Sequence, residues 1–211
     1  MVVYLLKIHN ENKHTTQANT MSIKTIEYLR KEKQEIIQVI RFCRNMRAFL
    51  FKARFTNISL QETESFIERN FPDAASGCIY CSQKELRSPH CTIPLGAPII
   101  VLEVNEETSH IGAVGLVTNR PHLQKYRVHH ENYKNTFNYI GKIRILRNEM
   151  SAEEDRVIRI LEAICFNGRM HLKHGCDLNM FSPRHLWRAA RIIDLVEELL
   201  NMFRKRKEKR K

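Results

Sequence analysis

The chain of 211 residues is rich in both apolar and basic side chains. Hydrophobic residues make up 43% of it, enough for a substantial core, which excludes a chain that is disordered throughout. The formal net charge is +12, from 35 Lys and Arg against 23 Asp and Glu, and this excess favours a polyanionic partner such as nucleic acid. No apolar run approaches the roughly 20 residues that span a bilayer. Because the N-terminus also lacks the basic start of a signal peptide, the sequence predicts an intracellular protein with no membrane partner.

The N-terminal part of the chain is predicted to be helical. Residues 21–53 are expected to form one long helix, because apolar side chains recur there at steps of three and four: Ile36, Val39, Cys43, Met46 and Leu50. The other face of this helix is basic. Ser59 and Glu62 match a capping box, in which each side chain bonds the other residue's backbone N–H, and they predict a shorter helix that ends near Asn70.

Two further helices are predicted in the C-terminal half. Ser151-Ala152-Glu153-Glu154 is a second capping box and opens a helix over 151–167. Ser182-Pro183 supplies the N-cap and the first residue of the last helix, which carries a short apolar heptad seam. A tail follows at 204–211 with seven basic residues, and repulsion among them predicts that the helix frays from about Met202.

The strongest β-strand pattern lies in the middle of the chain. Residues 98–104 and 111–117 are apolar runs separated by a polar segment, and they are predicted to pair as an antiparallel hairpin. Two glycines in the second run predict a bend, a bulge or the close approach of another backbone. Further strands are predicted over 139–147 and 126–129, whereas 74–96 is expected to be a loop.

Cys78, Cys81, His90 and Cys91 form the best candidate for a metal site. Two thiolates in a C-x-x-C segment can bind one zinc ion, and a further Cys and His would complete a tetrahedron. The pattern therefore gives the hypothesis of a structural zinc bound by these four residues. The alternatives are cysteines that pack as ordinary buried thiols and a redox-active pair.

Aromatic and basic residues alternate within the segment 120–147. Because bases stack on aromatic rings while Lys and Arg bind phosphates, this composition predicts a surface for RNA or single-stranded DNA. The candidate nucleic-acid-binding residues are Arg120, Lys125, Tyr126, Arg127, Tyr133, Lys142 and Arg144. The alternative is that about half of the rings in this segment belong to the core.

The sequence contains no recognisable catalytic motif. It has neither a nucleophile elbow nor a phosphate-binding glycine loop. Gly112-Ala113-Val114-Gly115 lies within a predicted strand rather than at a strand-to-helix turn, so it does not predict a dinucleotide site. We therefore expect a non-enzymatic nucleic-acid-binding protein. The alternatives are an interaction or scaffolding module that forms homo-oligomers through its terminal helices, and a nucleic-acid-modifying enzyme.

Part of the chain resembles PUA-like small β-barrels, the group that includes ASCH and EVE domains. The resemblance rests on Ile93-Pro94-Leu95-Gly96, the strand at 99–104, the strand Ile111-Gly112-Ala113-Val114-Gly115-Leu116-Val117 and the following Asn119-Arg120-Pro121. It covers about residues 90–147 and implies a small antiparallel barrel that binds RNA or modified bases.

Together with the predicted helices, this resemblance implies an α+β fold in which the barrel is flanked by a long N-terminal helix and a C-terminal helix. The expected division is a helical region over 1–72, a mixed β-barrel-like domain over 73–181 that includes the helix at 151–167, and a helix with a basic tail over 182–211.

Several segments also resemble uncharacterised proteins of large DNA viruses. They are GCIYC at 77–81, VLEVN at 101–105, IGAVGLVTN at 111–119, YIGKIRI at 139–145 and the segment 168–183. This second resemblance implies no activity. It does imply a viral protein that works in the nucleus or cytoplasm of an infected host cell.

Overall fold

The computed structural model describes residues 25–71, 77–87, 92–124, 126–129, 137–166 and 178–209. The chain divides into two compact units, Met1–Phe42 and Cys43–Lys211. The described part of the first unit is helical, and this helix, α1, spans 25–45. All of the strands below belong to the second unit.

The second unit is organised around an open five-stranded sheet with the order β6-β4-β3-β1-β7. Its strands are β1 (Phe49–Phe55), β3 (Pro98–Asn105), β4 (His110–Thr118), β6 (Ile143–Leu146) and β7 (Asn179–Met180). The pair β1–β3 is parallel, and the other pairs are antiparallel. A separate two-stranded antiparallel sheet consists of β2 (Cys78–Ser82) and β5 (Phe137–Gly141).

The expectation of a mixed α+β fold is confirmed, but the main sheet is not closed into a barrel. Closure would require its two edge strands to pair, and in the described residues β6 and β7 each pair with one neighbour only. The strand β7 has two residues, so it covers little of the edge of β1. The parallel β1 extends the sheet beyond the expected antiparallel hairpin.

Four helices accompany these sheets in the described part of the second unit. They are α2 (Asn57–Asn70), α3 (Ala152–Phe166), α4 (Pro183–Ala189) and α5 (Leu195–Glu208). A 3₁₀ turn at Arg147–Glu149 leads into α3. Among the described residues, no helix combines the length and the apolar character that a membrane span needs.

The predicted helix over 21–53 is wrong in its last part, because α1 ends at residue 45 and β1 begins at Phe49. All seven residues of β1 are buried, including Lys52 and Arg54. Phe51, Ala53 and Phe55 share one face and pack in the core. This period of two belongs to a strand, and pairing with β3 stabilises it.

The start of α2 is three residues earlier than the capping-box pattern at Ser59 predicted. Thr56 is the N-cap: its Oγ1 accepts the Ser59 N–H at 3.1 Å, and the Thr56 N–H donates to Ser59 Oγ at 2.9 Å. The box at Ser151 and Glu154 is confirmed, since the Ser151 N–H donates to Glu154 Oε2 at 2.9 Å and the Glu154 N–H to Ser151 Oγ at 3.3 Å.

The predicted last helix is divided in two. It begins at Pro183 as expected, but it stops at Ala189, and Asp194 caps a new helix by accepting the N–H groups of Val196 and Glu197, both at 3.1 Å. The prediction that this end frays from about Met202 is also wrong, because α5 continues to Glu208.

A contact to α3 explains the regular end of α5. Arg206 donates to Glu154 Oε2 at 2.6 Å and to the carbonyl oxygen of Glu149 at 3.0 Å. Although burial alone would raise it, the pKa of Glu154 is lowered by its hydrogen bonds from Arg206 and from the Ser151 backbone. Arg206 of the basic tail therefore stabilises the packing of α5 on α3.

The predicted hairpin at 98–117 is confirmed. The strands β3 and β4 pair with Ile99 opposite Val117, with an irregularity between Glu103 and Val104. The predicted strand at 139–147 is present as two strands, β5 and β6, separated at Lys142. Two other predictions are wrong: residues 126–129 form no strand, and the expected loop at 74–96 contains β2.

Candidate functional site

The structure does not bring Cys78 and Cys81 together as metal ligands. Both lie on β2, where residues three apart point to opposite faces. Cys78 packs in the cluster that contains Tyr80, whereas Cys81 packs in a second cluster with Phe66. The C-x-x-C spacing would bring the two thiols together in a loop or a helical turn. On a strand, it places them on opposite faces.

The environment of Cys78 also disfavours the thiolate that zinc requires. Burial, and then the negative charge of Glu103, raise the pKa of Cys78 to about 12. The other two predicted ligands, His90 and Cys91, lie outside the described residues. Within the described ranges, no group of three or more His, Cys, Asp or Glu residues could hold a metal ion.

Arg144, a predicted nucleic-acid ligand, is bound by carboxylates. Its Nε and Nη2 donate to Glu103 at 2.9 and 2.7 Å, and its Nη1 donates to Glu64 at 3.0 Å. The Tyr80 hydroxyl donates to the same Glu103 carboxylate at 2.7 Å. The side chains of Arg144 and Glu103 are only 13% and 6% exposed. The donors of Arg144 are therefore engaged in a buried network, which disfavours the predicted contact with phosphate.

A cleft opens beside this network, and its walls are acidic. Its volume is about 190 Å³, below the ~300–1,000 Å³ of typical small-molecule sites. It is lined by Glu64, Ile67, Glu68, Gly77, Arg144, Leu146 and Glu149. Three carboxylates face one arginine that is already paired, so this cleft repels phosphate groups.

Tyr126 contributes its ring to an aromatic cluster. The ring centroid lies 5.5 Å from Phe66, 5.9 Å from Phe71 and 5.3 Å from His122. Its hydroxyl donates to Gln124 Oε1 at 3.0 Å. The half-buried ring therefore packs against α2, and for Tyr126 the core alternative describes the structure better than an open stacking surface.

Three of the remaining candidates, Arg120, Arg127 and Lys142, are exposed. Because Leu116 pairs with Ile143, Lys142 lies beside the end of β4, after which Arg120 follows. Both residues therefore lie near the same end of β4. Lys125 and Tyr133 lie outside the described residues.

A larger basic surface lies on α4 and the turn after it. We define the α4 surface as Arg184, Trp187, Arg188 and Arg191. The segment 178–193 contains these three arginines and His185 but no Asp or Glu. Trp187 is half-buried, while Arg188 and Arg191 are exposed. The arginines around the only tryptophan, with no acidic residue between them, were visible in the sequence. The sequence analysis used this segment only for its apolar heptad seam.

Next to this surface lies a buried cationic cluster. Lys52 on β1 is 5% exposed, and its Nζ lies 5.7 Å from the centroid of the Phe181 ring. Burial lowers the pKa of Lys52. Burial also lowers the pKa of His185, and the positive charges of Arg188, Arg184 and Lys52 lower it further. Lys52 on β1 and two arginines of α4 therefore all act on the ring of His185.

Comparison of the chain with family models, with curated proteins and with solved structures gives no match.

Proposed function

We propose that this chain is a non-enzymatic protein that binds RNA or single-stranded DNA, and that the α4 surface is its main contact. The observation that carries the proposal is the group of three arginines near half-buried Trp187. The segment that contains them, 178–193, has no acidic residue. Guanidinium groups bind phosphates, and an indole face can stack on a base. The exposed residues Arg120 and Lys142 would contribute further phosphate contacts.

The resemblances noted in the sequence support two further parts of this proposal. The hairpin pattern shared with PUA-like domains supports RNA or a modified base as the ligand, although the sheet here is open. The likeness to proteins of large DNA viruses supports a role in the nucleus or cytoplasm of an infected cell. The basic end of the chain, 204–211, is compatible with either a nuclear-import signal or additional phosphate contacts.

We expect the double variant Arg188→Glu/Arg191→Glu to bind a single-stranded oligonucleotide about 100-fold more weakly, from the loss of two charge-assisted contacts. The slope of log K against log salt should flatten by about 1.4, at roughly 0.7 for each lost single-strand contact. Fluorescence anisotropy across a salt series measures both quantities.

The matched control is Lys84→Glu/Arg87→Glu, which makes the same change in charge at two exposed residues after β2. Among the described residues, Arg87 pairs with Glu85 at 3.4 Å, and the two side chains are 82% and 59% exposed. Equal losses in the two double variants would show that only net charge matters and would remove the α4 surface from the proposal. No binding by the wild-type chain at low salt would reject nucleic acid as the partner.

The exposed face of α1 favours a second candidate function, self-association. Of the nine large exposed hydrophobic side chains in the described residues, five lie on α1: Ile26, Tyr28, Leu29, Ile36 and Ile37. Ile26, Leu29, Lys33, Ile36 and Ile40 follow steps of 3-4-3-4 along α1, which is the spacing of a coiled-coil seam. A second copy of the chain would cover these exposed apolar side chains of α1, which is consistent with a scaffolding role.

If α1 mediates a dimer, Leu29→Glu/Ile36→Glu should convert the dimer to a monomer, because two charges would be buried at its centre. Light scattering after size-exclusion chromatography measures the mass directly. Ile58→Glu/Leu123→Glu is the control, since these residues are 70% and 101% exposed and lie elsewhere. A monomeric wild-type chain would reject this candidate.

A further inference from the structure

The acidic cleft, called the α2–β6 cleft below, lies between a helix and a free sheet edge of the second unit. One wall is α2, which contributes Glu64, Ile67 and Glu68, neighbours on its surface at steps of three and one. The other wall is β6, which contributes Arg144 and Leu146. Among the described residues, β6 pairs only with β4. The cleft is therefore bordered by a strand that can pair with a further strand.

The hydrogen bonds of β6 indicate which of its backbone groups face the free side. The Leu146 N–H donates to Glu149 Oε2 at 3.1 Å, so it points away from β4. In an antiparallel pair, the backbone groups of alternate residues point to the same side. The N–H and C=O groups of Arg144 therefore also face the free edge, where a residue of an added strand could form two backbone hydrogen bonds with them.

The charge of the α2–β6 cleft favours a cationic occupant. Among the described residues that line it, three carboxylates, of Glu64, Glu68 and Glu149, stand against the guanidinium of Arg144. That guanidinium already donates to Glu64 and to Glu103. The exposed carboxylate of Glu68 has no hydrogen bond or ion pair within the described residues. Because like charges four residues apart destabilise a helix, a cation between Glu64 and Glu68 would relieve their repulsion.

The size of the cleft and the nearest tail residue limit what this cation can be. The volume of about 190 Å³ is smaller than that of a typical small-molecule site and suits a single side chain. Arg206 reaches the same turn and donates to the carbonyl oxygen of Glu149 at 3.0 Å, but its charge is paired with the carboxylate of Glu154. The carboxylates that line the cleft are therefore left for a cation from outside.

We propose that the α2–β6 cleft binds an extended, basic peptide segment of a partner protein. The segment adds a strand to the free edge of β6, and one of its lysine or arginine side chains enters the cleft between Glu64 and Glu68. Backbone hydrogen bonds supply affinity, and the cleft selects the side chain. Because the chain has a formal net charge of +12, a cationic peptide is repelled at long range, and its binding requires a local acidic site.

The probe for the first experiment is a short, end-blocked peptide of alternating threonine and valine with one lysine at its centre, because β-branched residues favour an extended chain. Calorimetric titration into the full chain at low salt should show one binding site. Replacing the lysine by norleucine keeps most of the side chain but removes its charge, and it should weaken binding at least about tenfold. No binding of the lysine peptide, or equal binding of the two peptides, would overturn the proposal.

Two matched variants place the peptide in the cleft. Glu68→Gln should bind the lysine peptide about fivefold more weakly, which is the upper range for the loss of one exposed ion pair. Glu198→Gln makes the same change in charge at an exposed residue of α5, and it should bind the peptide like the wild type. Both variants change exposed residues, so both should fold. Equal losses in the two variants would show that only net charge matters and would overturn the cleft.

The second experiment tests the added strand by amide hydrogen exchange, followed by NMR. The Arg144 N–H should exchange more slowly with the lysine peptide bound, because it then donates a backbone hydrogen bond. A peptide that is N-methylated around its lysine lacks the backbone donors, and it should bind at least about fivefold more weakly. Unchanged exchange at Arg144 and equal binding of the N-methylated peptide would overturn the strand addition. Protection that is confined to elements other than α2 and β6 would overturn the site.

Discussion

Replacing Arg144 by Met should lower the free energy of unfolding by about 3–5 kcal/mol, because it leaves a buried carboxylate without its counter-ion. Glu103 has a 6% exposed side chain, and it accepts hydrogen bonds from Arg144 at 2.7, 2.9 and 3.1 Å. Among the described residues, only the Tyr80 hydroxyl would still donate to this carboxylate. Urea denaturation of the variant and the wild type measures the difference.

Two further variants test whether the buried charge is the cause. Adding Glu103→Gln to Arg144→Met should recover part of the loss, because the uncompensated charge is then removed. Arg159→Met breaks a pair with Asp155 whose arginine side chain is 75% exposed, and it should cost no more than about 0.5 kcal/mol. If Arg144→Met left stability unchanged but weakened oligonucleotide binding, Arg144 would be a nucleic-acid ligand after all.

Features that depend on neighbouring residues could be predicted from the sequence. The β3–β4 hairpin follows from two β-branched runs around a polar turn. The start of α3 follows from Ser151 and Glu154, whose reciprocal hydrogen bonds are local. In both cases the interacting groups lie within a few residues or across one short loop.

The strand β1 was missed because its stabilising partner is distant. It pairs with β3, about 50 positions further on, and both of its faces are buried, so Lys52 and Arg54 interrupt the expected apolar run. The alternation of Phe51, Ala53 and Phe55 with these two residues was nevertheless a strand signal. The prediction of a helix through residue 53 relied on apolar side chains at steps of three and four, and this spacing continues past the end of α1 by coincidence.

The role of a charged residue was the least predictable feature, since it depends on what the fold places opposite. Arg144 lies in a basic segment, yet Glu103 and Glu64 reach it from other elements. Arg206 lies in a basic tail, yet Glu154 of α3 binds it. From the composition of their segments alone, both arginines were expected to be available for binding phosphate. The segment 178–193 around the α4 surface, in contrast, contains no carboxylate of its own.

The packing of the two sheets gives the other large expected effect, at Gly115 on β4. An added Cβ there would lie 2.7 Å from Cζ and 2.9 Å from Cε2 of Tyr80, and still closer to its hydroxyl oxygen. The Tyr80 ring is 2% exposed, and its hydroxyl donates to Glu103, so it cannot move aside without breaking a buried hydrogen bond. This explains one of the two glycines that the sequence placed within the strand: a side chain, not a backbone, approaches it.

We therefore expect Gly115→Ala to lower the free energy of unfolding by about 3 kcal/mol, from overpacking and the strained Tyr80–Glu103 bond. Gly112→Ala on the same strand is the matched control: its Cβ would have no atom within 4 Å, so stability should stay within about 0.5 kcal/mol of the wild type. Adding Tyr80→Phe to Gly115→Ala should recover part of the loss, because it removes the closest atom. Thermal denaturation of the wild type, Gly115→Ala, Tyr80→Phe and the double variant gives the coupling energy between the two positions. Equal effects of the two alanine variants would show that Tyr80 does not pack over Gly115.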